Sequence, residues 1–233
     1  MAAFLFDMDG TMVDSMPWHA RTWDTLCDRL GLPRPGPDFF HRSTGRTGVE
    51  VMRMLVGDRP QPELAALVHE KESMYRELFG PQFAEVRGFR AFARTAREAG
   101  VRLACATAGD ADNIAFVLGH LGSGLVFDAV VGAHDVARGK PEPDLFLLAA
   151  RRLGVPAAEC LVFEDAPHGI EAARRAGMKA VAIATTLPPA ELGAPAHVIA
   201  TATDFTTLDV PTLLAAAFAP NPASSAACQP TTP

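Results

Sequence analysis

The chain has 233 residues, 48% hydrophobic and 21% charged, with a formal net charge of −6. That balance fits a folded chain with one sizeable core and excludes wholesale disorder, and without a Lys/Arg run it argues against nucleic-acid or anionic-membrane partners. No apolar stretch approaches the roughly 18–20 residues of a bilayer crossing, and Asp7 and Asp9 arrive before a signal peptide's apolar region would. The four scattered cysteines, Cys27, Cys105, Cys160 and Cys228, have no metal-binding spacing. Three of them sit in apolar patterns as core filler of a reducing compartment, so a cytoplasmic location is expected.

The first predicted element is a strand, Phe4-Leu5-Phe6, cut off by Asp7 and followed by Asp9, Gly10 and Thr11. Residues 16–83 carry helical signals only. Trp23, Leu26, Cys27 and Leu30 recur at helical spacing before Gly31, and Leu64, Leu67, Val68, Lys71, Tyr75, Leu78 and Phe79 form a second stripe begun by Pro62. A helix is then predicted over 89–99, stopped by Gly100, and a strand over 101–106 (VRLACA). A short strand follows at 129–132 (AVVG), then a helix with Leu145, Leu148, Ala149 and Leu153 on one face. The last predictions are a strand at 160–163 (CLVF), a helix over 169–176 closed by Gly177, and a strand at 180–184 (AVAIA). Near-continuous apolar runs of this length suit strands buried on both faces. The expectation is an α/β fold with an open, doubly wound parallel sheet built from 1–15 and 84–210. A helical lobe, 16–83, is inserted after the first strand and hinges over a site between the two. Residues 220–233 read as a disordered tail.

Ligands of an open α/β sheet bind at the carboxyl ends of its strands. The predicted strand ends deliver Asp7 and Asp9, then Thr107-Ala108-Gly109, then a loop ending in Lys140, then Glu164-Asp165. Asp7 and Asp9 point the same way on an extended backbone. Close carboxylates resist ionising together unless a cation intervenes, and a hard divalent ion such as Mg²⁺ takes oxygen ligands, with Asp165 placed to add one. Thr107 could hydrogen-bond a phosphate oxygen beside the amides of Ala108 and Gly109, at the start of a helix whose dipole favours anions. Lys140, in a Pro-stiffened loop, could neutralise a phosphate or the crowded acids. Taken singly, each segment has a plainer reading: caps and turns for the acids, a strand–turn–helix junction for Thr107, a surface lysine for Lys140. Their convergence on one rim is what favours chemistry.

Together these four segments resemble the four motifs of the haloacid dehalogenase-like superfamily: Asp7-Met8-Asp9-Gly10-Thr11, Thr107, Lys140 and Glu164-Asp165. The stretch 162–178 resembles the subgroup holding β-phosphoglucomutase and many sugar-phosphate phosphatases. The resemblance spans residues 3–205. It implies a Rossmann-like core, an inserted α-helical cap and Mg²⁺ dependence. It implies Asp7 as the nucleophile that forms an aspartyl-phosphate, and Asp9 as general acid and base. Thr107, Ala108 and Lys140 would hold phosphate. Asp7, Asp9 through its carbonyl, and Asp165 would ligate the metal, with Glu164 a ligand or a neighbour of one. An acid at position 9 points to phosphate esters, because the dehalogenases carry an aromatic there and the phosphonate-cleaving members a small residue.

The helical lobe should choose the substrate. His19 and Trp23 match positions of the first cap helix in that subgroup, and Lys71 and Tyr75 match a KxxxY pairing. The plainer readings are lobe packing for Trp23 and Tyr75 and a surface or hinge position for His19. Ser43-Thr44-Gly45-Arg46-Thr47-Gly48 lacks the lysine of the mutase's distal phosphate grip and sets Arg46 next to glycine. Gly109-Asp110-Ala111-Asp112-Asn113 lacks the mutase's Lys-Asn pair. Both departures remove holds on a second phosphate. The expected function is a Mg²⁺-dependent phosphatase of small phosphorylated metabolites, sugar phosphates among them. A phosphosugar mutase and an inactive phosphate-binding or regulatory homologue are the alternatives. His19, Arg46 and Lys71 are the candidate substrate contacts, although Arg46 reads equally as a solvated turn residue. A monomer is expected.

Overall fold

A computed structural model describes residues 1–43 and 45–218; the predicted tail lies outside them. In chain order the elements are β1 (Ala3–Phe6), α1 (Met16–Leu30), α2 (Pro37–Ser43), α3 (Gly48–Val56), α4 (Gln61–Phe79), α5 (Phe89–Glu98), β2 (Arg102–Ala106), α6 (Ala111–Leu121), β3 (Ala129–Val131), α7 (Asp144–Leu153), β4 (Cys160–Glu164), α8 (Pro167–Arg175), β5 (Lys179–Ile183), α9 (Pro189–Leu192), β6 (Val198–Ala202) and α10 (Val210–Phe218). The strands form one parallel sheet in the order β3-β2-β1-β4-β5-β6. β6 has no counterpart in the sequence reading. It is an edge strand, half-covered and with threonine at 201, so it lacks the continuous apolar run that marks the central strands.

Period-two alternation sorts the central strands between two cores. Phe4, Phe6, Leu103, Cys105, Leu161 and Phe163 face one layer. Ala3, Leu5, Ala104, Ala106, Cys160 and Val162 face the other. On the first face Phe6 stacks on Phe163 at 4.6 Å between ring centroids and meets Phe89 edge-on at 5.4 Å. The apolar stripe Phe89, Phe92, Ala93 and Ala96 seats α5 there. Cutting one of these buried phenylalanines to alanine costs about 3–5 kcal/mol, and Phe6 and Phe163 directly precede the acidic strand ends. The aromatic layer therefore fixes where those acids emerge.

Helices α1–α4 occupy the segment between β1 and α5. They share a separate cluster built on Trp23, Leu26, Phe39, Val51, Met52 and Leu64. Local signals end and start them. Gly31 takes a left-handed φ of 65° after α1, and Thr47 and Glu50 form a reciprocal capping box on α3. The chain enters and leaves this lobe side by side: the Asp14 amide donates to the Ala84 carbonyl at 2.9 Å and the Val86 amide to the Met12 carbonyl at 3.0 Å.

Candidate active site

After β1 the chain runs to β2 and β3 on one side, then returns to build β4, β5 and β6 on the other. β1 and β4 are thus neighbours at the point where strand order reverses, the position at which such sheets bind ligands. Asp7 follows β1 by one residue and its amide donates to the Phe163 carbonyl at 3.0 Å. Glu164 ends β4 and Asp165 comes next. Thr107 follows β2, its amide on the Val131 carbonyl at 3.0 Å. Lys140 descends from the loop between β3 and α7. All five side chains are buried.

Carboxylate oxygens of Asp7, Glu164 and Asp165 lie within 4.8 Å of one another. The Lys140 ammonium bridges Asp7 and Glu164. The second Glu164 oxygen accepts the Ala166 amide at 3.0 Å. Asp165 accepts from Thr186 and, at 3.3 Å, from Thr11. Two glycines make the room. A Cβ on Gly10, which has a φ of +79°, would sit 2.2 Å from Asp165 Oδ2, and one on Gly169 would sit 1.9 Å from the Glu164 carboxyl carbon. Burial, with repulsion from Glu164 and Asp165, holds the Asp7 carboxyl well above its ordinary value, against the pull of Lys140. Burial and Glu164 push Asp165 up to about 7, against Thr186 and Lys140. Burial alone would lower Lys140, but Asp7 and Glu164 hold it above its ordinary value. Three buried acids thus crowd one rim, and a single lysine pairs with two of them. That excess of hard anionic oxygen fits a hard divalent cation.

Asp9 belongs to the opposite wall. Its Oδ1 accepts from Ser15 at 2.7 Å and Tyr75 at 3.2 Å, and lies 3.2 Å from His19 Nε2. Lys71 Nζ, buried on α4, is 2.5 Å from His19 Nδ1. An ammonium only donates, so Nδ1 is the acceptor and Nε2 carries the proton that faces Asp9. The His19 ring stacks on Tyr75 at 3.8 Å. Burial alone would raise the Asp9 carboxyl. The proximity of His19, the hydrogen bond from Ser15 and the nearby Lys71 ammonium hold it below its ordinary value.

A cleft of about 230 Å³ lies between the two walls. Asp7, Asp9, His19, Arg46, Lys71, Thr107, Ala108, Glu164 and Asp165 all line it; Lys140 reaches it only through its two carboxylates. The Gly109 amide, expected to face an anion, instead donates to Thr107 Oγ1 at 2.9 Å, because the turn into α6 folds that amide back on the threonine. Trp23 packs in the lobe cluster. Tyr75 joins the aromatic core under the sheet instead and spends its hydroxyl on Asp9. Arg46 Nε donates to the Arg42 carbonyl at 2.8 Å in its own turn. Ser15, Glu72, Asn113 and Thr186 escaped the sequence reading. Of these only Ser15 had a local signal, a helix N-cap position, and it makes no cap bond.

The model of the haloacid dehalogenase-like hydrolases matches residues 1–177. The fructose-1-phosphate phosphatase YqaB of Escherichia coli is 34% identical over 186 residues, 77% of this chain and 95% of that protein. Hexitol phosphatase A of the same organism is 33% identical over 182 residues, 77% of this chain and 82% of that protein. Among solved structures, a HAD hydrolase of family IA, variant 3, from Entamoeba histolytica superposes with a TM-score of 0.84 at 25% identity, covering 93% of this chain and 99% of that one. A β-phosphoglucomutase from Clostridium difficile shares the fold, with a TM-score of 0.81 at 22% identity over 93% of this chain and 97% of that one. The match over most of the chain and the parallel sheet with its acidic switch point agree: this chain belongs to the haloacid dehalogenase-like hydrolases.

Proposed function

We propose that this chain is a Mg²⁺-dependent phosphatase of small phosphomonoesters, sugar and polyol phosphates foremost, working through an aspartyl-phosphate on Asp7. One observation carries the reading: three buried carboxylates converge at the strand-end rim, two of them paired with Lys140, and a fourth, Asp9, faces them across a small cleft. An Asp7 oxygen forms a bond to phosphorus as the bond to the leaving alcohol breaks, and Asp9 gives its proton to the leaving oxygen. Asp9, then ionised, takes a proton from water as that water attacks phosphorus, which frees Asp7 and releases phosphate. A carboxylate nucleophile divides one hard displacement into two, and phosphoryl transfer rests on positioning and charge neutralisation. The environment of Asp9 in this structure favours its ionised form, the form the second half-reaction uses. Lys140 offsets the Asp7–Glu164 charge, and the Thr107 hydroxyl orients the phosphoryl oxygens. A divalent cation held by Asp7, Asp165 and the Asp9 carbonyl, with Glu164 behind them, would supply positive charge between nucleophile and phosphate. The helical segment 16–83 serves as the cap, and the protein works as a cytoplasmic monomer.

Relatives that act on fructose 1-phosphate and hexitol phosphates set the panel. Phosphate release from these and from p-nitrophenyl phosphate should appear with Mg²⁺ and vanish with EDTA. No release from any monoester at saturating Mg²⁺ would reject the proposal. β-Glucose 1-phosphate with a trace of its bisphosphate should yield free phosphate; glucose 6-phosphate as main product would make the chain a mutase.

A further inference from the structure

Helix α4 of the lobe lies along α6 of the core, and their seam has two parts. Away from the cleft it is aromatic: Tyr75 and Phe79 meet Phe116 at 6.1 and 6.2 Å, and Phe83 stacks on His120 at 4.7 Å. At the cleft it is polar. Glu72 Oε2 accepts from Asn113 Nδ2 at 2.8 Å, and Asn113 Oδ1 accepts from Arg76 at 2.8 Å. Both Glu72 and Asn113 are buried and line the cleft. The residues follow helical spacing on both sides, Glu72, Arg76 and Phe79 facing Asn113, Phe116 and His120. An apolar rung would join two such helices as well or better, since replacing buried ionic pairs by packed hydrophobes is often neutral or stabilising. The polar rung therefore needs another reason.

Its second connection provides one. Glu72 Oε1 accepts from Lys71 at 3.0 Å, and Lys71 is the group that donates to His19 beside Asp9. On the core side the Asn113 amide donates to Asp110 Oδ1 at 2.8 Å, in the cap that closes the Thr107 loop. We propose that Glu72 and Asn113 are positioning residues: their hydrogen bond across the two lobes aligns Lys71 and His19 on Asp9 only when α4 is seated on α6. This rests on the phosphatase reading of the site. The Asn113 side chain is used with both polarities, donating to Glu72 and accepting from Arg76, so neither a carboxylate nor an apolar residue can replace it alone.

A polarity swap tests this. In Asn113→Asp two carboxylates face each other; in Glu72→Gln one oxygen must serve two donors, so the new NH₂ faces either Asn113 Nδ2 or Lys71, unless Asn113 flips and points its NH₂ at Arg76. In the double variant the new amide on α4 keeps an oxygen for Lys71 and gives an N–H to the new carboxylate on α6, which still accepts from Arg76. Each single variant is expected to lose at least about tenfold in kcat, with KM changed less. The double variant should recover to within about threefold of the parent, a strong non-additivity. Hydrogen–deuterium exchange should follow the same pattern, faster in α4 and α6 of the singles and restored in the double. Additive losses, or singles that lower Tm while kcat of the folded enzyme holds, would overturn the proposal. If the parent enzyme hydrolyses no monoester, the phosphatase reading fails, and exchange alone judges the rung: additive protection rejects it, restored protection in the double retains it.

Discussion

Asp7 and Asp9 lie two residues apart, yet they belong to different halves of the site. Asp7 sits on the strand-end rim, where burial and two neighbouring acids raise its carboxyl and Lys140 opposes them. Asp9 turns to the helical lobe, where Ser15, Tyr75 and His19 surround one oxygen, Lys71 stands behind His19, and the Asp9 carboxyl is lowered. The rim is overcrowded with negative charge and suited to a cation. The lobe side is a donor-rich pocket suited to a proton in transit. Catalysis that divides attack from proton transfer needs this contrast.

The sharpest way to break the comparison is to replace each acid by its amide. Asp7→Asn removes the proposed nucleophile and should lower phosphate release at least about a thousandfold with every leaving group. Asp9→Asn keeps the nucleophile. With p-nitrophenyl phosphate, whose leaving group needs little protonation, it should give a burst of p-nitrophenol and then turn over at least about a hundredfold more slowly. A burst from Asp7→Asn, or none from Asp9→Asn, would mean the two roles are misassigned.

Lys140→Met tests the rim's charge balance. It strands buried acids without their lysine and should cost about 3–5 kcal/mol of stability in metal-free buffer, read by urea unfolding. A loss below about 1 kcal/mol would mean the acids are not held ionised by that lysine.

Metal and pH test the same rim more gently. Asp165 is raised from 3.8 to about 7. A raised carboxyl contributes stability that is fully present below about 3.8 and is lost as pH climbs through about 7. The metal-free Tm should therefore fall between about pH 4 and pH 7. Mg²⁺ needs the ionised ligands, so its stabilisation should grow over the same interval, reaching about 2.7 kcal/mol where Mg²⁺ stands at a hundredfold excess over Kd. A Mg²⁺ shift larger at the acidic end of that interval than at the alkaline end would contradict the assignment. On the lobe side, Ser15→Ala removes one donor to Asp9 and should cost about 1 kcal/mol, close to fivefold in kcat, with stability little changed. An unchanged kcat would show that this hydroxyl does not tune Asp9.

The rim was legible in the sequence because its parts are local. A buried parallel strand is a continuous apolar run, so a polar residue after one stands out, and the four strand endings marked Asp7, Thr107, the Lys140 loop and Glu164-Asp165. The lobe side was legible only in pieces. His19, Lys71 and Tyr75 stood at suggestive spacings, but nothing local said that Tyr75 would leave the lobe's cluster for the aromatic core, or that Ser15 would turn from capping α1 to Asp9. Glu72 and Asn113 looked like ordinary polar helix positions, separated by 40 intervening residues, until α4 and α6 came together.

Periodicity and strand endings thus carried the α/β class, the parallel sheet and the chemical character of the rim, since each depends on neighbours within one element. Strand order did not follow from them. That β1 and β4 adjoin, bringing Asp7 within reach of Glu164 and Asp165, is a product of the crossover that reverses the sheet. The pairing of Asp9 with His19 and Lys71, and of Glu72 with Asn113, likewise depended on how the lobe seats against the core. Hydrogen bonds between distant segments leave no period in the chain, so only the packed structure could assign them.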